Sequence, residues 1–298
     1  MYPSFAHHAA SVVHIRRGGA LDTQLIASVM LDQFKALGGT RLQGQVTGVT
    51  YGNNFAVQLQ ANGQAQTINC QHVVTAAGPC AAQLSRMLRV ALPLENVLQQ
   101  KVSFEDTLGV IPRELPFTID IDDISLDWSA EEKLLLSQDA AMKRFTKPMP
   151  GAIHCRPEGT GKWVKLGWAY NTSRTTAVRD PELDAEFPEI VVRGASRLHP
   201  GLKNYIGAFP AGSVHYGGYY TMTPENWPLI GETEIPGYLI AAGLSGFGSM
   251  AACATGELIA SLVTGRPVAS YATDLSLQRY ANPALLQELA NLNDKGLL

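Results

Sequence analysis

Charge is scarce in this 298-residue chain: 16% of its residues are Asp, Glu, Lys or Arg, and 23 basic residues face 26 acidic ones, for a net charge of −3. A protein that grips nucleic acid needs a basic stripe, and this balance supplies none. Cysteine is scarce as well. Cys70, Cys80, Cys155 and Cys253 fall at spacings that fit neither CxxC nor a zinc pattern. They predict free thiols in a reducing compartment, which places the chain in the cytoplasm and leaves no metal site expected. No stretch reads as long and apolar enough to cross a bilayer. The first thirty residues lack the apolar core of a signal peptide, because His7, His8, His14, Arg16 and Arg17 interrupt them. Internal repeats and low-complexity tracts are absent. What remains is a 46% hydrophobic globular chain, long enough for one large domain or two ordinary ones.

The pattern along the chain is mixed. Residues 21–37 predict a helix capped by Asp22, with Leu25, Val29, Met30 and Phe34 on one face and Gly38-Gly39 as its stop. Three alternating runs (41–50, 54–61 and 64–69), separated by turn chemistry that includes Asn62-Gly63, predict an antiparallel meander. Residues 72–79 read as a buried parallel strand ending at Gly78-Pro79, followed by a helix over 80–88. From 94 to 217 strand-like runs (97–104, 117–121, 152–156, 162–170) alternate with helical patches at 130–142 and 181–198. Residues 217–231 hold two prolines and three aromatics and read as a rigid loop with flat walls, or as a packed connection. Residues 238–243 predict another buried strand, 244–249 a glycine-rich turn, and 250–263 a smooth helix closed by Gly265. A helix is expected after Asn282-Pro283.

The most informative local signal is the strand, glycine turn and helix over 238–263. Gly243, Gly246 and Gly248 precede a helix whose first amides have no partner within the helix. Such an end presents N–H donors and partial positive charge, and bare glycines let a flat ligand approach the backbone. The order Gly-x-x-Gly-x-Gly is neither the dinucleotide fingerprint nor a nucleophile elbow. Close helix–strand packing explains the glycines equally well.

Taken in order, these segments resemble the family of FAD-dependent D-amino-acid, glycine and sarcosine oxidases. The resemblance rests on Gly19-Ala20-Leu21-Asp22 through Val46, on His72 to Gly78, on residues 150–159, on Thr223 to Gly231 with Glu225 for an aspartate, and on Ala241 to Glu257 with Phe247 for a histidine. It implies an α/β and α+β architecture: an FAD-binding Rossmann-like domain from 1–94 and 218–298, with an inserted mixed-sheet substrate domain over 95–217. It implies non-covalent FAD near Val46, Ala76, Ala77, Gly78, Gly243, Gly246, Phe247, Gly248, Ser249 and Met250. The helix start would face the flavin's pyrimidine edge, where hydride arrival places negative charge. Lys165, in Lys165-Leu166-Gly167, matches a lysine tied to oxygen reactivity in sarcosine oxidases, and a surface lysine on an edge strand is the plain alternative.

The implied chemistry is oxidation of a C–N bond of an amino acid or methylated amine by hydride transfer to flavin N5. The departures shape the substrate expectation. Tyr220 stands where an arginine often clamps a carboxylate, Gly218 where a cysteine can bond the flavin, Ala169 where a histidine follows the lysine, and Met250 where a lysine lies. Tyr220 joins Lys165 as a candidate catalytic group, and Tyr219, Tyr220, Trp168 and Tyr170, with Trp227, are expected as an aromatic cage for the amine unless several of them are core. The family's opening strand and Gly-x-Gly-x-x-Gly turn find no match before Gly18. The expectation is therefore an incomplete FAD-binding domain, whose alternative is a catalytically inactive remnant or a subunit needing a partner chain to supply that segment.

Overall fold

A computed structural model describes residues 3–292 of the chain. Helix α1 (Thr23–Ala36) begins where Asp22 Oδ1 accepts from the Leu25 amide at 2.9 Å and ends at Gly38, whose φ of +91° suits a residue without a Cβ. Its apolar residues Leu25, Val29, Met30 and Phe34 are exposed rather than packed. The meander follows as β1 (Gln45–Tyr51), β2 (Phe55–Ala61) and β3 (Gln64–Cys70), paired antiparallel in that order. Asn62 and Gly63 both take positive φ (+49° and +76°), the backbone that a tight two-residue hairpin demands.

A second sheet forms around β4 (Val73–Thr75), which is followed by α2 (Ala81–Met87). It pairs parallel with β12 (Tyr238–Ala242), which pairs antiparallel with β11 (Leu229–Glu232). Tyr238 locks this unit: its hydroxyl meets Thr75 Oγ1 at 2.9 Å and Ser85 Oγ at 2.6 Å, so the buried phenol is satisfied while its ring joins Phe55, Val49 and Ile240 in the core. The outer edge of β4 carries no strand among the described residues.

The third sheet holds six strands. β5 (Glu95–Glu105), β6 (Thr118–Asp120), β7 (Ile153–Pro157), β8 (Trp163–Trp168) and β10 (Val214–Met222) run in the order β10-β5-β8-β7-β6, with the short β9 (Arg174–Thr175) on β5. Helix α3 (Ala130–Gln138) lies between β6 and β7 and is opened by a capping box of Ser129 and Glu132. Helix α4 (Phe187–Ala195) covers one face, where Phe187, Ile190, Val191 and Val192 meet Val102, Phe104, Val164, Leu166 and Trp168. Gly194 is needed there, since a Cβ would lie 2.6 Å from the Trp168 ring.

The segment read as a loop from residue 217 is strand up to Met222. β10 pairs with β5 without interruption from Val214↔Ser103 to Met222↔Glu95. Aromatic and β-branched residues 219–221 favour a pleated edge, and the prolines that suggested a loop begin only at Pro224. The boundary expected at 217/218 therefore falls inside a single strand.

Helix α5 (Gly248–Val263) packs Leu258, Ile259 and Leu262 toward Ile230 of β11. With its preceding turn, Ser245–Val263 is 19 residues long with mean hydropathy 1.3, long and apolar enough to cross a membrane by length and composition alone. This corrects the sequence reading that no stretch qualifies. The helix instead closes the strand–turn–helix unit. The tail adds α6 (Ala272–Leu275) and α7 (Pro283–Leu292), whose Leu289 is buried.

Candidate functional site

The carboxyl ends of β4 and β12, the face of α5 and the end of β10 enclose a cleft of about 430 Å³. Ala76, Gly78, Gly243, Leu244 and Ser245 form its floor, with Thr255 and Gly256 of α5 on one side and Tyr219 and Thr221 of β10 on the other. Clefts beyond the carboxyl ends of such strands are where open α/β sheets bind ligands. Asn96 joins the two sheets beside it: its Nδ2 donates to the Pro79 carbonyl at 2.9 Å and its Oδ1 accepts from Thr221 Oγ1 at 2.8 Å.

The turn itself is shaped by backbone rather than side chains. Gly243 takes φ +69°, and a Cβ there would lie 3.2 Å from Leu94 Cδ2 and 3.3 Å from the Leu229 nitrogen. Ser245 also takes positive φ (+50°), which a non-glycine residue adopts only under constraint. Neither the single turn at Ser245–Phe247 nor α5 has a side-chain cap, so the helix's first amides stay available to a ligand. Ser245 Oγ and Thr255 Oγ1 are buried without a hydrogen-bond partner.

Of the residues expected around a cofactor, Ala76, Gly78 and Gly243 line the cleft together. Ala77 sits between two of them. Gly246, Phe247 and Gly248 are half-buried at the mouth of α5, and Ser249 and Met250 are exposed in its first turn. Val46 lies apart, in β1, against the core beneath the meander. Ser245, Thr221 and Thr255 were missed. Small polar residues carry no motif, although Ala252, Thr255, Gly256 and Ile259 recur at the three- and four-residue spacing of one helix face.

The expected aromatic cage is dispersed. Trp168 and Tyr170 are core residues, 1% and 6% exposed, packed edge to face at 5.2 Å beneath α4, with the indole Nε1 donating to the Pro150 carbonyl at 2.9 Å. Tyr219 and Tyr220 are neighbours on β10 and so point to opposite faces. Tyr219 lines the cleft and accepts from the Val178 amide at 3.0 Å. Tyr220 shares its face with Gly218 and Tyr216, and burial raises its pKa. Alternation along a strand separates residues that look clustered in sequence.

Lys165 lies on that same face of the six-stranded sheet, opposite the face that α4 covers. Its ammonium forms an ion pair with Glu158 and stands 5.6 Å from the centre of the Tyr216 ring. Two positions along, Gly167 is in register with both His154 and Lys101. The His154 ring occupies the space a side chain would take, since a Cβ at Gly167 would sit 2.2 Å from Nε2. Gly167→Ala should expel the imidazole. The expected result is a lower melting temperature, together with a His154 ring resonance in the NMR spectrum that titrates nearer the ordinary histidine range.

Burial, reinforced by Lys101, pulls the His154 pKa down from 6.5 to about 4. Burial alone does the same for His199, from 6.5 to about 4, beside Thr118 Oγ1 at 3.0 Å. Both rings are neutral when folded, so between those limits the unfolded chain holds more protons. Stability is therefore complete above pH 6.5 and falls as the pH drops toward 4. The slope should approach about 3 kcal/mol per pH unit for the two rings together. Melting temperatures measured at pH 7 and pH 5 test this, and a pair of substitutions with Gln should flatten the difference.

A family model described as DAO, FAD dependent oxidoreductase, matches residues 1–262. The chain belongs to this FAD-dependent oxidoreductase family. No curated protein matches the sequence of this oxidoreductase. Solved structures share its fold. L-proline dehydrogenase from P. horikoshii aligns with TM-score 0.59 and 23% identity, covering 86% of this chain and 59% of that one. Glycine oxidase from Geobacillus kaustophilus gives 0.58 and 17%, covering 85% and 57%. Iminodiacetate oxidase from Chelativorans sp. BNC1 gives 0.57 and 17%, covering 86% and 58%. The oxidoreductase thus spans a little under three fifths of the length of these structures.

The residues present fit a dinucleotide of the FAD type. The floor is bare where a flat ligand must approach, and a Cβ built at Gly78 or Gly256 would meet nothing within 4 Å. Two buried hydroxyls without partners and an uncapped helix start supply donors for its polar groups.

Proposed function

We propose that this oxidoreductase oxidises the C–N bond of an amino acid or methylated amine, with FAD held non-covalently along the cleft between Gly78 and Ser245. The observation that carries this reading is the pair of unpartnered hydroxyls, Ser245 Oγ and Thr255 Oγ1, beside a glycine turn that opens an uncapped helix. The fold shared with proteins named for proline, glycine and iminodiacetate supports the substrate class. When bound, FAD supplies the hydride acceptor at N5. The chain's own residues would do the rest. The amides of Gly246 and Gly248 and the two hydroxyls would bind and orient the cofactor, beside Phe247, whose own amide donates to the Leu244 carbonyl. Ala76, Ala77 and Gly78 would bear on its ribityl and phosphate stretch, and Val46 on its adenine side. Lys165 would hold positive charge on the sheet face that also carries Tyr220. An amine that binds neutral needs no general base, so no acid–base pair is required of the chain.

FAD titration followed by flavin fluorescence tests the reading. Saturable quenching by the wild-type chain, weakened by Gly243→Val, is expected, together with dye reduction that depends on added amine. Quenching that Gly243→Val leaves unchanged would count against the cleft as the cofactor site.

A second reading is favoured by the uncovered edge of β4 and the exposed apolar face of α1. Here a strand from a partner chain or a further segment supplies the Gly-x-Gly-x-x-Gly turn, and this chain alone is inactive. Added in trans, such a strand–turn–helix segment would then be required for the flavin spectrum to appear.

A further inference from the structure

The two walls of the cleft belong to parts of the chain with separate cores. Residues 45–94 and 223–292 gather around Phe55, Tyr238 and Ile240, with a smaller cluster at Ile230, while the buried core of the six-stranded sheet runs from Val102 to Tyr205. Among the described residues, no core cluster draws buried residues from both parts. The chain passes between them at 94/95 and at 222/223, and these crossings are neighbours, since Met222 stands opposite Glu95 in register. A third link is loose: the Ala6 amide donates to the Leu198 carbonyl at 2.8 Å, and residues 10–30 that follow are exposed throughout. Two adjacent strands joining two separately packed bodies have the form of a hinge.

Beside that hinge a single side chain ties the parts together. Among the described residues, the bond from Asn96 Nδ2 to the Pro79 carbonyl is the one hydrogen bond between residues 45–94 or 223–292 and residues 95–222, and no ion pair joins them. Gly78 and Pro79 line one wall of the cleft, and Tyr219 and Thr221 line the other. The Asn96 amide reaches from wall to wall, because its Oδ1 accepts from Thr221 Oγ1 while its Nδ2 donates to Pro79. A flipped amide would set Oδ1 against the Pro79 carbonyl, so its orientation is fixed. Thr221 is 7% exposed, which limits competition from water for its bond. The Asn96 backbone is held from both sides, in register with Thr221 of β10 and Thr175 of β9.

We propose that Asn96 is a positioning residue: it pins the six-stranded sheet to the Gly78-Pro79 turn beside the hinge and so sets the aperture of the cleft. A bond across a hinge holds only while donor and acceptor stay within hydrogen-bond reach, so it limits rotation. Without it the two walls vary in separation. A cofactor that touches both walls then meets a mixture of apertures, and its apparent affinity falls with the competent fraction. The consequence for FAD rests on the proposed cofactor site, whereas the pin is a property of the chain itself.

Asn96→Asp and Thr221→Val separate the two bonds. Aspartate still accepts from Thr221 but sets a carboxylate oxygen against the Pro79 carbonyl, and valine removes only the bond within the sheet. Spin labels on the exposed Cys253 and on Lys162→Cys, with Cys70→Ser and Cys80→Ser, report the aperture by pulsed EPR. Lys162 precedes Trp163, the partner of Glu105, and Glu105 lies about 33 Å along β5 from the hinge at Glu95, so rotation is amplified there. With Asn96 and Thr221 in place, one narrow distance distribution is expected. Asn96→Asp should broaden it and weaken FAD binding, followed by flavin fluorescence, roughly tenfold. Asn96→Ala, which adds no charge, should broaden it as well, and Thr221→Val should do less. The melting temperature should fall by no more than about 2–4 °C in Asn96→Ala, since each core closes without this residue. An unchanged distribution in both Asn96 variants overturns the proposal, and so does a broadened one that leaves FAD affinity as it was. A broadened distribution in a chain that binds no FAD even with Asn96 present upholds the pin and removes the cofactor reading instead.

Discussion

Arg279→Met should lower the melting temperature by roughly 6–20 °C, because removing one partner of a buried pair costs about 3–5 kcal/mol and each 1 kcal/mol shifts a chain of this size by about 2–4 °C. Arg279 is 1% exposed and lies in the tail, far in sequence from Glu225, the carboxylate it pairs with. Its Nε donates to Glu225 Oε1 at 2.6 Å, and its terminal nitrogens reach the carbonyls of Pro228 at 2.6 Å, Leu275 at 3.1 Å and Trp227 at 3.1 Å. Tyr280 adds a hydroxyl to the same carboxylate oxygen at 2.8 Å, and burial together with that bond pushes its pKa up to about 12. Methionine would leave Glu225 charged and buried, and the carbonyls without donors. The double variant Arg279→Met with Glu225→Met should be less destabilised than Arg279→Met alone, since it removes the stranded charge. A drop of only a degree or two in the single variant would show that the pair contributes little. The effect should also reach the cleft. The loop held by Arg279 runs beneath the glycine turn, where Thr223 Cγ2 lies 3.4 Å from a Cβ built at Gly243. Reduced FAD affinity should accompany the loss of stability.

Trp168→Ala should cost about 3–5 kcal/mol, the usual range for truncating a fully buried aromatic residue. The indole fills the space between β8 and α4, where Gly194 approaches it, and its N–H is committed to the Pro150 carbonyl. Alanine would leave a cavity and an unsatisfied carbonyl at the centre of the α4-covered core. Trp168→Phe, which keeps most of the volume, should cost less. Urea unfolding measures both. A substrate-wall role would give the opposite pattern, with binding lost and stability kept, and that outcome would return Trp168 to the cage.

The strand–turn–helix at 238–263 and the meander were legible because their signals are local. Turn glycines, Asn62-Gly63 and runs of alternating or apolar residues act over a few neighbours, and those neighbours are adjacent in sequence. The β10 strand was obscured by its own glycines, and its pairing with β5 lies more than a hundred residues back. The aromatic cage failed for a related reason. Tyr219 and Tyr220 are adjacent in sequence yet face opposite ways, and Trp168 belongs to a core assembled by a helix that begins at Phe187.

The sequence by itself determined the family, the order of elements and the bare turn from Gly243 to Gly248, since each depends on residue type and short spacing. Only the tertiary structure decided which side of each strand meets which neighbour. It alone placed Arg279 on Glu225 and His154 over Gly167. Burial and charge pairing join residues tens to more than a hundred positions apart, and no local pattern records a contact made only when distant strands come into register.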